Sequence, residues 1–421
     1  MMKRRSFEKS GTCILFCLIL FPAVLQSVSA VNTPYSTISQ TIEENGSNNF
    51  DRIIEKIMDR SHFPSVSACI IKNNQIVWSG GYGFSDLEHH YDATENTVYG
   101  ICSMTKTIIG TALMQLFDQG LFNLDEDVNH YLPFNLRNPN FPDDPITFRM
   151  LLSHSSSLRS PPSYWLIDFY HDGSPPFEGY PMPWLEDYLI PGGSNYDLNV
   201  WDSTNGPGKL SEYANINFDL VGYLVEVISG EPICKYCEDH IFTPLEMYNT
   251  SFNLSSYNEQ DVAIPYNWNP QNNNFDKNCN EVHLHYMAGG LFSTVIDMSH
   301  FMMMQMNGGG YKNTRILKES TVEEMHKIQS PNVNPGRAYG LAWLFEPRSF
   351  HIGKSIFCLV SKIYGGHAGA ITNGLRTDMW MKASGESAVI FFINSDSFSY
   401  AKGYNGVEFL REVLFLKANS L

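Results

Sequence analysis

Apolar residues along this chain change period several times, and each change marks an element. Between residues 49 and 60, Phe50, Ile53, Ile54 and Ile57 recur at three- and four-residue spacing with charges between them, which predicts a helix. Two strand-like runs follow, 65–71 and 76–78, separated by the turn residues Asn73-Asn74. The same pattern returns near the C-terminus. Residues 339–345 and 378–382 read as strands, and 387–393 as another after the turn Ser384-Gly385-Glu386. Residues 407–416 then close the chain as an amphipathic helix. Strands at the two ends need one another to form a sheet.

The middle is helical. Residues 103–119 carry Met104, Ile108, Ile109, Ala112, Leu113, Leu116 and Phe117 on one stripe, with Gly120 as the stop. Residues 218–228 form a second helix ended by Ser229-Gly230, and 297–306 a third ended by Gly308-Gly309-Gly310. Between the first two lies 160–208, rich in Pro, Gly, Trp and Tyr and without periodicity. It reads as a long structured loop, and long loops in compact domains are usually functional. The sketch is an α/β (α+β) lobe built from 31–100 and 286–421, with a mainly helical lobe, 101–285, inserted. That arrangement places a cleft between the lobes.

Residues 1–30 are a different text. Lys3, Arg4, Arg5 and Lys9 head an apolar run from 13 to 25 that contains Pro22, and Val28-Ser29-Ala30 follows. A charged head, a short apolar core and an A-x-A-like end describe a secretory signal peptide. Its core falls short of the roughly 20 residues that span a bilayer, and no second apolar stretch of about 18 occurs, so the cleaved chain is expected off the membrane. Acids outnumber bases 44 to 28, a formal net charge of −16. This argues against nucleic acid or an anionic membrane as partner, since both favour a basic face.

Six cysteines remain beyond the signal: Cys69, Cys102, Cys234, Cys237, Cys279 and Cys358. They are too few for a disulfide scaffold, although export permits one or two bridges. Cys234-x-x-Cys237 has no second pair to complete a zinc set and reads as ordinary helix-turn cysteines or a disulfide to Cys279. Sequons stand at Asn45, Asn249 and Asn253, with meaning only in a eukaryotic host. His283 and His285 share a strand face but lack a third ligand, and Asp125-Glu126-Asp127 does not have EF-hand spacing, so no metal is expected.

Ser103-Met104-Thr105-Lys106 opens the strongest helix. A spacing of three puts Ser103 and Lys106 on one face, about one turn apart. A lysine desolvated in a cleft loses its proton readily and can activate a serine hydroxyl, which is otherwise a poor nucleophile. Alone, such a pair is common by chance. Here Tyr213-Ala214-Asn215 precedes the second helix, and Gly366-His367-Ala368-Gly369 precedes the C-terminal strands.

With these three motifs in this order, the chain resembles the serine β-lactamase and penicillin-binding-protein-like family. The likeness is to its class C β-lactamase, DD-peptidase and esterase-related branch. It extends over residues 120–133, over 146–158, over Ala288-Gly289-Gly290-Leu291-Phe292-Ser293-Thr294, and over Tyr339-Gly340-Leu341-Ala342-Trp343. The resemblance implies an antiparallel sheet flanked by helices and no cofactor. It makes Ser103 the nucleophile of an acyl-enzyme, with Lys106 and Tyr213 sharing the proton transfers. Asn215 is expected to orient the substrate and hydrogen-bond Lys106. His367 stands where many relatives carry Lys and is expected to attract a substrate carboxylate less firmly. The backbone N–H groups of Ser103 and Ala370, the latter following Gly369, are expected to form the oxyanion hole.

Two departures stand out: Ser157 replaces the usual glycine of its turn, and Ala370 carries no hydroxyl. No G-x-S-x-G elbow occurs, so the α/β-hydrolase alternative lacks its nucleophile. Cys102 reads as a packing residue beside the nucleophile. Tyr164, Trp165, Phe169, Tyr170, Trp184, Tyr188, Tyr196 and Trp201 either wall the cleft or pack under the loop. The first functional reading is a secreted serine hydrolase of amide or ester bonds, β-lactamase-like or D-alanyl-D-alanine carboxypeptidase-like, with a small-molecule or peptide substrate. The alternatives are an esterase of the same mechanism and a non-catalytic binding or scaffold protein retaining the fold. The sequence leaves the oligomeric state open.

Overall fold

A computed structural model describes residues 47–166, 169–170, 184–329, 338–352, 355–395 and 405–421. The expected signal peptide lies outside them. Residues Met1–Ile53 and Ile54–Leu421 form separate units. The described part of the first is the opening of helix α1 (Ser47–Ser61).

Among the described residues, eight strands form one antiparallel sheet. β1 (Ser65–Lys72), β2 (Gln75–Asp86) and β3 (Tyr91–Asp92) come from the N-terminal part. β4 (Ala338–Tyr339), β5 (Leu344–Ile352), β6 (Ser355–Ile371), β7 (Leu375–Lys382) and β8 (Ser387–Ile393) come from the C-terminal part. The order is β4-β5-β6-β7-β8-β1-β2-β3, so the two ends of the chain meet at β8–β1, with Val66 opposite Ile393 and Lys72 opposite Ser387.

β8 is buried along its whole length, which for a strand requires cover on both faces. Helix α4 (Val295–Met306) and helix α5 (Gly406–Ser420) supply it. Alternate residues Cys69, Ile71, Ala388, Ile390 and Phe392 share a cluster with Val295, Met298 and Phe301 of α4. α5 lies on the same strands and is tied to β7 by a buried ion pair, Arg411 Nε donating to Asp378 Oδ2 at 2.5 Å. Trp380 Nε1 donates to the other oxygen at 2.6 Å.

Helices α2 (Thr105–Asp118) and α3 (Ile216–Ser229) pack on each other. The close contact behind α3 needs Gly222, where a Cβ would come 2.1 Å from Met287 Sδ. Gly230, left-handed at φ 75°, ends α3 as its C-cap. No helix among the described residues is long and apolar enough to cross a membrane.

Several expected elements change form. Residues 339–345 are two strands: β4 and β5 fold back on each other, with Tyr339 opposite Leu344. The backbone between them turns to pair elsewhere, Leu341 N–H donating to the Met325 carbonyl and Ala342 N–H to the Leu152 carbonyl, both at 2.9 Å. Gly366-His367-Ala368-Gly369, expected ahead of the C-terminal strands, lies within β6. The expected loop 160–208 holds a 3-10 turn, Pro162–Leu166, a strand, Phe169–Tyr170, and a helix, Trp184–Leu189. Residues 167–168 and 171–183 of it lie outside the described residues. Tyr164, Tyr188 and Trp201 are buried in the core, whereas Trp165 is half exposed at 51%. The side chains of Phe169 and Tyr170 are outside the described set.

Asp125-Glu126-Asp127 is a capping and pairing segment. Asp127 accepts from Asn129 N–H at 3.0 Å and pairs with Arg137, and Asp125 pairs with Arg149. Cys234 and Cys237 are free thiols on one short helix.

Candidate active site

Ser103 sits one step before α2, in a 3-10 turn, Cys102–Met104. The tight turn is possible because Cys102 adopts φ 49°, a left-handed conformation that costs a non-glycine residue about 1–2 kcal/mol. Surrounding bonds hold the strain in place. Thr105 Oγ1 donates to the Cys102 carbonyl at 2.7 Å and accepts from Leu291 N–H at 3.2 Å, and Ile101 N–H donates to the Leu291 carbonyl at 2.8 Å. The stretch 288–291 therefore clamps the turn that presents Ser103.

Three side chains meet at the serine oxygen. Lys106 Nζ donates to Ser103 Oγ at 3.2 Å, and Tyr213 OH donates to the same atom at 2.9 Å. Lys106 Nζ also donates to the Ala288 carbonyl at 2.5 Å and lies 5.1 Å from the centre of the Tyr213 ring. Lys106 is wholly buried, and burial pushes its pKa down to about 7, against the opposing pull of Asp219 and the Cys102 thiol. Such an amine is part neutral near pH 7. Its carbonyl partner holds it in either charge state, because a neutral amine still donates.

Tyr213 is placed by what precedes and flanks it. Ala214 N–H donates to His154 Nδ1 at 3.2 Å, and the His154 ring lies 4.6 Å from the Tyr213 ring. Accepting at Nδ1 puts the His154 proton on Nε2. Burial first, then the charges of Lys106 and His367, hold His154 well below the usual imidazole range, so it is neutral. Tyr213 itself is 38% exposed, open to the cleft.

Asn215 does not meet its expectation. Its N–H donates to Ser160 Oγ at 2.9 Å, while its side-chain Oδ1 is buried without a hydrogen-bond partner among the described residues. The place beside Lys106 is taken by the Ala288 carbonyl, which reaches the amine because Tyr286–Ala288 packs against α3. The orphaned Asn215 oxygen is the kind of buried group that a bound molecule satisfies.

The strand side of the site is β6. Its partner β5 pairs with it only as far as Gly366, opposite Leu344. Beyond that point, residues 367–371 pair with β7 alone and run beside the nucleophile turn. The fit requires Gly369: a Cβ there would come 2.5 Å from the Ile101 carbonyl oxygen and 2.9 Å from Cys102 Cβ. His367 is buried, and its Nδ1 donates to the Ala368 carbonyl at 2.7 Å. Its ring stands 6.3 Å from that of Tyr213. Ala370 is exposed, opposite Arg376 of β7.

The Beta-lactamase family model matches residues 50–408. The chain belongs to that family. Among curated proteins, "Protein flp" of Staphylococcus aureus (strain MW2) is 26% identical over 326 residues, covering 72% of this chain; the match spans 57% of the Staphylococcus protein's own length. A protein of Escherichia coli (strain K12) named "Putative D-alanyl-D-alanine carboxypeptidase" is 28% identical over 356 residues, 76% of this chain and 78% of that one. Among solved structures, the D-amino acid amidase of Ochrobactrum anthropi complexed with D-phenylalanine superposes with a TM-score of 0.67. It is 22% identical, with 89% of this chain and all of that chain covered. This last likeness is one of fold: the antiparallel sheet flanked by helices is the architecture of the Beta-lactamase family.

Sequence reasoning missed four parts of this site: the Ala288 carbonyl, His154, Asp219 and Tyr164. A backbone acceptor leaves no trace in a sequence. Asp219 does leave one, as the single acid within the largely apolar 216–225 run of α3, fully buried in the structure.

Proposed function

We propose that this Beta-lactamase family protein is an exported serine hydrolase that forms an acyl-enzyme on Ser103, with D-amino-acid amides or peptides as its first substrate class. What carries the reading is the convergence of the buried Lys106 amine and the Tyr213 hydroxyl on Ser103 Oγ. In this reading 31–100 with 286–421 form one lobe and 101–285 the other, and the substrate lies between them.

As Ser103 Oγ attacks the substrate carbonyl, its proton passes to the neutral Lys106 amine, directly or through Tyr213. The carbonyl oxygen becomes an oxyanion, received by the N–H groups of Ser103 and Ala370. When the tetrahedral intermediate collapses, the C–N or C–O bond breaks and Tyr213 hands a proton to the leaving amine or alcohol. Water then enters by the same route in reverse, giving up a proton to the Lys106–Tyr213 pair, and the acid product leaves Ser103 free. Asn215 Oδ1 accepts the substrate's amide N–H. His367 faces a terminal carboxylate, attracting it only in its protonated form.

The choice of D-amino-acid substrates rests on the names of the Escherichia coli relative and the Ochrobactrum structure. The esterase reading shares every step but the leaving group. The test is turnover of a D-alanyl-D-alanine-ended peptide, D-phenylalanine amide, a chromogenic cephalosporin and a short nitrophenyl ester, each with the wild type and Ser103→Ala. Loss of turnover in the variant supports the mechanism, and the preferred substrate fixes the class. A wild type no faster than Ser103→Ala on all four overturns the reading and leaves a binding role.

A further inference from the structure

We propose that Asp219, clamped by Tyr164, is the positioning residue that holds Lys106 in place and supplies the counter-charge for its protonated form. The proposal rests on the reading of Lys106 as the base. A carboxylate buried in an apolar helix run costs several kcal/mol unless its environment compensates. Asp219 has no exposure at all. Tyr164 OH donates to its Oδ2 at 2.5 Å, whereas Oδ1 has no well-formed hydrogen bond among the described residues. A group kept there half satisfied is poorly explained by stability.

What it faces explains it. Ala288 N–H, which donates to the His285 carbonyl at 3.2 Å, also stabilises the Asp219 charge, and the Ala288 carbonyl accepts from Lys106 Nζ at 2.5 Å. One residue thus links the carboxylate to the amine. Gly222, one turn beyond Asp219 on α3, allows the approach by making room for Met287. Tyr164 is held in its turn by stacking on the His285 ring, 4.7 Å between centres, and by edge contacts with Trp165 and Tyr188. The aromatic-rich loop therefore reaches the base from behind, and this is its link to the chemistry.

When Ser103 gives up its proton, an ammonium forms at a buried site. Burial alone opposes that charge, and Asp219 acts against the burial. The other titratable groups facing the pair are the Cys102 thiol beside Ser103, neutral His154 with its coupling to His367, and the Tyr213 and Tyr188 hydroxyls coupled to Tyr164. None of them supplies a negative charge near neutrality.

The experiment is a pH titration of Lys106 by its 13Cε shift, assigned against Lys106→Met, in the wild type, Asp219→Asn and Tyr164→Phe. Removing the carboxylate is expected to lower the Lys106 midpoint by about one pH unit or more. Tyr164→Phe, which takes a stabilising donor from the carboxylate, is expected to shift it the same way by less. In the pH profile of kcat/KM the acid limb should move to lower pH by the same amount, with KM within about twofold. An unmoved midpoint in both variants overturns the proposal, whatever happens to the rate. Turnover that survives Ser103→Ala overturns the hydrolase reading instead, while the midpoints still decide the role of Asp219. Should Asp219→Asn fail to fold, Tyr164→Phe, which keeps the ring and its stack, decides alone.

Discussion

Replacing Gly369 with alanine asks whether β6 must lie as close to the nucleophile turn as it does. The added Cβ would come 2.3 Å from Thr377 Oγ1, 2.5 Å from the Ile101 carbonyl oxygen and 2.9 Å from Cys102 Cβ. None of these atoms is the free end of a flexible chain. Thr377 Oγ1 is itself fixed, donating to the Ile101 carbonyl at 2.9 Å. Ordinary contact needs roughly 3.5 Å, so strand and turn must separate by about 1 Å. Overpacking of this kind costs about 1–3 kcal/mol. The larger effect falls on the Ala370 N–H, next in the strand, because a misplacement near 1 Å costs about 100-fold in rate. We expect kcat on the best substrate to fall about 100-fold and thermal unfolding to come a few degrees earlier. Gly385→Ala is the control: Gly385 has φ 69° and nothing within 4 Å of where the added methyl would stand, so the substitution strains the backbone and leaves the rate unchanged. A Gly369→Ala protein with the wild-type kcat and melting temperature would refute both the contact and the oxyanion role of this strand.

Lys106→Met should abolish turnover yet stabilise the fold by about 1–2 kcal/mol, as often happens when an activity-related strain is removed. The folded Lys106 pKa, about 7, lies below its unfolded value of 10.5, so the unfolded state binds more protons and wild-type stability rises with pH through this window. The gain from methionine should therefore be larger at pH 6 than at pH 9 in urea unfolding; a pH-independent gain contradicts it. Arg411→Met, which leaves Asp378 buried with Trp380 as its remaining donor, should cost about 3–5 kcal/mol, and adding Asp378→Leu should restore most of it. A single variant as stable as the double would refute that pairing. Ser157→Gly relieves a left-handed residue at φ 67°, worth about 1 kcal/mol, but removes the hydroxyl that accepts from Asn138 Nδ2 at 3.1 Å, worth about the same. Calorimetry should find the two nearly cancelling.

Elements with strong periodicity are legible in the sequence to within a residue or two. The apolar stripe on α2 and the run of β8 are local facts, and the structure ends them where Gly120 and the Ser384-Gly385-Glu386 turn require. Residues 339–345 are not legible, because what breaks that strand is pairing with Met325 and Leu152, far away in sequence. The register of β6 is hidden for the same reason: a glycine-rich stretch reads as a turn until the surface pressing on Gly369 is known. In the site, Ser103, Lys106 and Tyr213 announce themselves by motif, and the structure brings them to one oxygen. The groups that place them do not, being a backbone carbonyl, a buried imidazole and a carboxylate whose meaning depends on a tyrosine 55 positions away.

The pairing of Val66 with Ile393 puts a clock on the molecule. At about 5–20 residues per second, the ribosome needs roughly 15–65 s after making β1 to deliver its second neighbour. Until then the β1–β2 hairpin exists with one naked edge, an apolar strand that any other nascent copy can pair with. The sheet cannot close early, whatever the stability of its parts, and a chain halted before β8 is a template for aggregation. Chaperone dependence during synthesis, and insolubility of any product truncated before residue 387, follow from strand order alone.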